Sequence, residues 1–493
     1  MATPRGRSRG VLISAYGVLC SMVLPGAGHM AVGANLRHRK VIAMFVLGLV
    51  SSLAFVVLVA PVGTKADLAD VVADRRRFMA MAMSLVLMTI TRVWAAADVA
   101  WTARPRRGRF ATAVAGALAA TIIVTAATPM VVAANYIWTT DRVVEQVFGT
   151  NDPITAQPGA VPTTSTSTTS TTSTTVAPTT SGASSTSSST STSTSTSTTL
   201  APFAGTDRLN VLLLGGDAGA GRWNLRTDSM VLVSIDPDTG DTALISVPRN
   251  LRHLPFPPGT ALAGRFPNGF DDLANAVYPY VDNRRELAGG GADAGAQAVK
   301  LGIAQLLGIP IQYYVLVDMA GFVNVVDALG GIDVDVPKRV PTPGNPPGSK
   351  HPVPEYIEAG LQHLDGTLAL AYARSREADS DYQRMQRQRC VLSAIATSAT
   401  PQALATGLGG LVDAFGDSVR TDIPREQLGE LAVVIDRFAK AGGVLAARTL
   451  QLTPPVLQPS NWDAAKVREL VTTVLYPPPL PPDFVGVLAP ACA

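Results

Sequence analysis

The chain has 493 residues, a formal net charge of +3 and a composition that is 47% hydrophobic and 16% charged. That length exceeds what one ordinary core organises, so more than one region is expected. A net charge this small does not by itself indicate a nucleic-acid partner.

Three apolar runs, 41–62, 78–101 and 110–138, each exceed the roughly 20 residues a helix needs to cross hydrocarbon. A fourth, 11–32, carries Pro25-Gly26-Ala27-Gly28 and then His29, so it reads as re-entrant or interfacial, or as a fourth span. The runs follow one another as a bundle, and none has the form of a cleaved signal peptide. Residues 1–140 are therefore expected to be a transmembrane region.

Three basic groups set its orientation: Arg5, Arg7 and Arg9; Arg37, Arg39 and Lys40; and Arg104, Arg106, Arg107 and Arg109. Three spans place all of them in the cytoplasm and everything after Trp138 outside. The loop 63–77 then lies outside, and its Arg75, Arg76 and Arg77, offset by Asp67, Asp70 and Asp74, fit that side least. Four spans would instead put the C-terminal region inside.

From Thr163 to Thr199 the sequence is nearly all Ser and Thr, which bury no apolar area and are expected to be disordered. Segment 141–207 is read as a linker. About 50 flexible residues reach roughly 40 Å, which suits a domain held off a membrane within a cell wall.

The remainder has globular composition. Strands are expected at 209–214, 229–235 and 242–247, the last two forming a hairpin around Asp236-Pro-Asp-Thr-Gly240. A helix follows at 292–307, then strand 313–317, helix 321–329, strand 332–336, and helices at 384–398 and 427–439. This alternation predicts an α/β domain, a mixed β-sheet packed between helices. Cys390 and Cys492 invite one disulfide tying the C-terminus to an arginine-bearing helix, or are two separate thiols.

Chemistry concentrates at few positions. Arg374, Arg376, Arg384, Arg387 and Arg389 fall within eighteen residues, with no lysine among them. A guanidinium fork matches phosphate oxygens in pairs, whereas an ammonium is a point charge. Arg384 and Gln388, four apart, share a helix face. Arg374 and Arg376 share a face only if extended. Arg387 and Arg389 read as part of a solvated basic face. Asp217 at the end of the first strand and Asp228 just before the second suit a hard divalent ion such as Mg²⁺ or Mn²⁺, or are ordinary turn residues. Arg249 closes the third strand. The glycine-rich turn 215–221 has neither G-x-G-x-x-G spacing nor a Walker Gly-Lys. No zinc set and no G-x-S-x-G elbow occurs.

Taken in order, Asn210-Val-Leu-Leu-Leu-Gly-Gly-Asp217, Arg226-Thr-Asp228, Ile245-Ser-Val-Pro-Arg249, Asn275-Ala-Val-Tyr278, Asp318 with Gly321-Phe322, Asp327-Ala-Leu-Gly-Gly-Ile-Asp333, Leu364-Asp-Gly366, Ala369-Leu-Ala-Tyr-Ala-Arg-Ser-Arg376 and the run from Asp381 to Gln388 resemble the LytR-CpsA-Psr family. The match covers about 208–397, giving a catalytic domain at 208–400 with a C-terminal extension at 401–493. The resemblance implies a domain that binds a polyprenyl pyrophosphate-linked glycopolymer and transfers it to a peptidoglycan hydroxyl as a phosphodiester. It further implies Mg²⁺ on Asp217 and Asp228, and pyrophosphate contacts from Arg226, Arg249, Arg374, Arg376, Arg384 and Gln388. Asp228, Arg249, Arg374 and Arg376 would be catalytic. Asn250 and Leu273 depart from the family's usual Asp and Lys. The polyprenyl tail needs an apolar cavity, which 313–317 and 322–326 are placed to line unless they are core. Two other readings keep part of this frame: a pyrophosphatase using water as acceptor, and a transcriptional attenuator, a label the family has carried.

Overall fold

The computed structural model describes residues 4–32, 39–60, 62–63, 65–103, 109–148, 156–158, 203, 206–217, 225–345, 349–376, 381–399 and 419–477. The N-terminal helices are α1 (Pro4–Val23), α2 (Ala27–Ala31), α3 (Arg39–Val59), α4 (Lys65–Ala73), α5 (Arg75–Thr102) and α6 (Arg109–Phe148). Among the described residues three of them, α3, α5 and α6, are long and apolar enough to cross a membrane, with mean hydropathy of 2.8, 1.6 and 2.0 in their most apolar windows. α5 is the central helix and packs against α1, α3 and α6.

The segment 11–32 is not one straight helix. Gly26 adopts φ 88°, which favours glycine, and α2 turns back along α1 so closely that a Cβ on Gly28 would sit 1.9 Å from the Gly17 carbonyl oxygen. A helix that stops inside a bundle strands its last carbonyls. Arg92 of α5 takes them up: Nε donates to Met22 O at 3.0 Å and Nη2 to Val23 O at 3.4 Å and Ser52 Oγ at 3.3 Å. Farther along, His29 meets Asp98 at 2.8 Å. The pairing of Met22 with Arg92 and of His29 with Asp98 shows α2 returning toward the C-terminal end of α5, the end at which α1 begins.

The globular part is built on a six-stranded sheet in the order β10-β3-β2-β1-β4-β9, where β1 is Leu209–Gly216, β2 Thr227–Ile235, β3 Thr242–Ser246, β4 Tyr313–Asp318, β9 Val419–Thr421 and β10 Arg448–Gln451. β1 pairs antiparallel with β2 and parallel with β4, so the sheet is mixed. The expected hairpin is present: Asp236 Oδ1 accepts from Asp238 N and Thr239 N at 2.9 and 3.0 Å, and Gly240 has φ 78°. Both edge strands come from residues beyond 400, so the division at 400 does not follow the sheet, and the C-terminal segment completes it. β5 (Ile332–Val336) and β8 (Gly360–Leu364) form a separate antiparallel pair. β6 (Val340–Pro341) and β7 (Tyr356–Ile357) form a smaller one.

One sheet face, with Leu212, Leu214, Met230 and Leu232, buries against α7 (Ala261–Arg265), α8 (Val277–Asp282), α9 (Ala294–Leu307) and α14 (Ala464–Leu475). On the other face Leu209, Val211 and Ile235 pack on Ile423 and Val434 of the region holding α13 (Leu428–Lys440). The rest of that face is roofed by α10 (Met319–Ala328), α11 (Gly366–Arg374) and α12 (Asp381–Ser398). α10 and α11 approach closely at Gly366, where a Cβ would lie 2.1 Å from Val323 O.

α6 continues through Phe148, past the expected linker start at 141, and α4 packs against α13. The Ser/Thr run 163–199 and Cys492 lie outside the described residues, so the bridge to Cys390 does too; Cys390 itself is buried. His351 and His363 each pair with a carboxylate, Asp365 at 2.6 Å and Asp333 at 2.7 Å.

Candidate functional site

Between the sheet and its roof lies a cavity of about 480 Å³. The strand alternation explains its wall: Leu213, Val231, Val315 and Val317 point into it, while Leu212, Leu214, Tyr314 and Leu316 point into the opposite core. Of the two runs expected either to line a cavity or to be core, each is both. Val315, Val317, Phe322 and Val325 line the space, and Tyr314, Val323 and Val326 are buried in packing. On α12, Gln388, Val391, Leu392 and Ile395 face the cavity at helical spacing.

One end of this apolar space is polar. Asp217, Asp228, Arg374, Arg376, Arg384 and Gln388 all line it. Asp217 and Asp228 are brought together because both their backbone N–H groups donate to Arg226 O, at 2.8 and 3.1 Å, across the end of the β1–β2 pair. Arg226 itself is exposed and is not among the cavity-lining residues; its carbonyl, not its guanidinium, shapes this end of the site.

Asp228 is the centre of the polar cluster. Arg249 Nη1 donates to both of its oxygens at 3.0 Å, Asn275 Nδ2 donates to Oδ1 at 3.0 Å, and Arg376 Nη2 stands 3.8 Å from Oδ2. Burial pushes this carboxyl up, but the hydrogen bond from Asn275, the charge and hydrogen bonds of Arg249 and the charge of Arg384 outweigh it and hold the group below its ordinary value. Arg249 lines a small adjoining recess with Asp228, Met385 and Gln388. Asn275 opens the motif Asn275-Ala-Val-Tyr278 and is the other donor to Asp228. Its backbone N–H donates to Arg249 O at 3.1 Å, so it ties both partners of the ion pair. An asparagine on a short 3₁₀ turn gives no sequence signal of that contact.

The arginine run divides. Arg374 is the last residue of α11, with Ser375 as its C-cap, so Arg374 and Arg376 do not share an extended face although both reach the cavity. Arg384 is 2% exposed. Arg387 and Arg389 are not on a solvated face. Both are buried; Arg387 donates to Ser375 O and so holds the turn between α11 and Arg376. With the Gln451 amide turned to accept, Arg389 donates to it from Nη2 and Nε at 2.5 and 3.1 Å, fastening α12 to β10. Other motif residues are caps: Asp318 accepts from Gly321 N at 2.8 Å, Asp365 from Leu368 N at 2.9 Å and Asp327 from Gly366 N at 2.7 Å.

Among the described residues no group of three or more His, Cys, Asp or Glu is placed to hold a metal ion. Asp217 and Asp228 beside the arginine-lined end fit Mg²⁺, which takes one or two carboxylates and completes its shell with other oxygens and water.

The LytR_cpsA_psr family model matches residues 165–444, more than half of the chain, and the chain belongs to that family. It is 30% identical over 227 residues to the polyisoprenyl-teichoic acid–peptidoglycan teichoic acid transferase TagU of Halalkalibacterium halodurans, covering 46% of this chain and 64% of the relative. It is 28% identical over 225 residues to the TagU of Bacillus anthracis, covering 45% and 63%. The chain thus spans just under two thirds of the length of these relatives. The crystal structure of B. subtilis TagV superposes with TM-score 0.40 and 26% identity, over 55% of this chain and 99% of that one.

Proposed function

We propose that the protein is a membrane-anchored, extracytoplasmic phosphotransferase that moves a glycopolymer from a polyprenyl pyrophosphate carrier onto peptidoglycan. The observation that carries this is a single cavity with an apolar interior and an arginine-and-carboxylate end. A lipid pyrophosphate has the same two parts. The names of the TagU relatives agree with it.

Arg374, Arg376 and Arg384 are placed to grip and neutralise the two phosphates, while Arg249 is oriented by Asp228 and Asn275. The acceptor hydroxyl attacks the phosphorus that carries the glycan, the P–O bond to the carrier breaks, and polyprenyl phosphate leaves as the hydroxyl proton passes to solvent or a base. A base working at neutral pH has a pKa near 7. Asp228, held low by Asn275 and Arg249, suits an orienting or ion-holding role better than proton abstraction. Mg²⁺ on Asp217 and Asp228 would supply further charge neutralisation at the same phosphates.

Orientation rests on the bundle. The start of α1, the return of α2, the end of α5 and the start of α6 lie at one end, and the globular part at the other. With the basic groups in the cytoplasm, the catalytic part lies outside. Arg75 and Arg77, which fit least as outside charges, are engaged there: Arg75 faces Asp141 and Glu145 at 3.3 Å each, and Arg77 donates to Leu58 O at 3.0 Å.

The test is turnover by the full chain in vesicles with lipid-linked glycan and a peptidoglycan oligomer. A phosphodiester-linked adduct with release of polyprenyl phosphate is expected. Glycan phosphate released without an adduct would make water the acceptor and the protein a pyrophosphatase.

A further inference from the structure

Where the helix bundle meets the globular part, a buried ionic joint has formed. Arg425, 5% exposed, donates from Nη2 to Asp141 Oδ1 at 2.7 Å and lies 3.4 Å from Glu145 Oε2. Its Nε and Nη2 also donate to Val72 O at 3.0 and 2.8 Å. Asp141 is equally buried, and its second oxygen faces Arg75. Beside this cluster α4 lies along α13 so tightly that a Cβ on Gly429 would sit 1.4 Å from Asp70 Oδ1. Desolvated charges persist at a contact where each has its partners, and here the partners come from α4, α5 and α6 on one side and a single turn on the other.

The position of the joint gives it meaning. Asp141 follows Trp138 by one helical turn and faces Arg75, the first residue of α5. Tyr136 and Trp138 are exposed on α6, and aromatic side chains at such a level mark the membrane–water interface. The joint therefore lies one helical turn beyond that aromatic level. From Arg425 the chain leads back through Asp422, whose carboxylate is locked in the core by Lys300, Gln297 and Tyr314 N, to Val419 in the cavity wall. Val419 and Arg425 are separated by no more than about 20 Å of extended chain. β9 itself packs against α6.

We propose that the end of the helix bundle is a docking platform for the globular part, holding its apolar cavity beside the bilayer so that a lipid-linked substrate enters directly from the membrane. The nature of that substrate rests on the reading under Proposed function; the docking does not.

Two measurements on the full chain in vesicles test this. In a background with Cys20→Ser and Cys492→Ser, the pair Asp70→Cys and Gly429→Cys is oxidised, and the linker is then cut at a protease site placed within 163–199. The two fragments are expected to stay joined until reduced; fragments that separate without reductant overturn the docking. In the second, Asp141→Ala, which alters only the bundle side, is compared with Arg425→Ala. Both are expected to raise KM about tenfold for a long-chain substrate in the bilayer and to leave a short-chain, water-soluble analogue unchanged. Equal effects on both substrates, or no effect on either, overturn direct entry. If the wild type turns over neither substrate, the transferase reading and the entry claim fail together, while the cross-link still decides the docking.

Discussion

Asp228 receives hydrogen bonds from Arg249 and Asn275 and stands opposite Arg376, so its charge is stabilised in three directions. Because its folded pKa is depressed, its contribution to stability is fully present above the ordinary carboxylate range near 4 and is lost as pH falls through the lower folded value. Replacing Asn275 by Ala removes one charge-assisted bond, an interaction of about 1.5–3 kcal/mol. The Asp228 carboxyl is then expected to titrate at higher pH, followed by NMR, with the acid limb of stability moving up alongside it. Arg384→Lys keeps the charge but loses the fork; turnover is expected to fall roughly 10²-fold with the fold intact by circular dichroism. At this scale the sequence was informative about residue type and misleading about role. Arginine in place of lysine pointed to the cavity for Arg374, Arg376 and Arg384, yet nothing in the spacing separated them from Arg387 and Arg389, whose targets are a carbonyl and an amide distant in sequence.

Among the secondary-structure elements, the strands with strong alternation and the helix ending at Gly308, which has φ 74°, were legible because their determinants are local. β9 was not. Three residues carry no period to read, and the ion pair that anchors the strand belongs to the next residue, Asp422, with a partner 122 positions away. Its attachment is nonetheless strong: Lys300 and Asp422 are both fully buried and paired. Lys300→Met alone leaves a buried carboxylate unpartnered and is expected to cost about 3–5 kcal/mol in denaturant unfolding, whereas Lys300→Met with Asp422→Leu recovers most of the loss. The roof helices make a separate prediction. Val325→Trp on α10 fills the apolar space without touching its charged end, so binding of a long-chain lipid pyrophosphate, measured by calorimetry, is expected to weaken far more than that of a short-chain one.

On the scale of the whole molecule, composition divided the chain into bundle, linker and globular part, and periodicity gave the helices, but neither reported how bundle and globular part touch. Composition has no access to a contact such as Arg425 with Asp141, 284 positions apart, and a flexible linker suggested separation where the structure shows contact. Reporter enzymes active only outside the cytoplasm, fused after Leu475, are expected to be active if α3, α5 and α6 each cross and the basic groups face the cytoplasm, as proposed.

That arrangement hangs on one corner. Pro25 and Gly26 fold α2 back beside α1, and Arg92 caps the carbonyls the fold exposes. The number of crossings, odd with the corner and even without it, decides on which side of the membrane every later residue lies. Two residues near the start of the chain thereby hold the parity that sets the side on which the distant arginines lie.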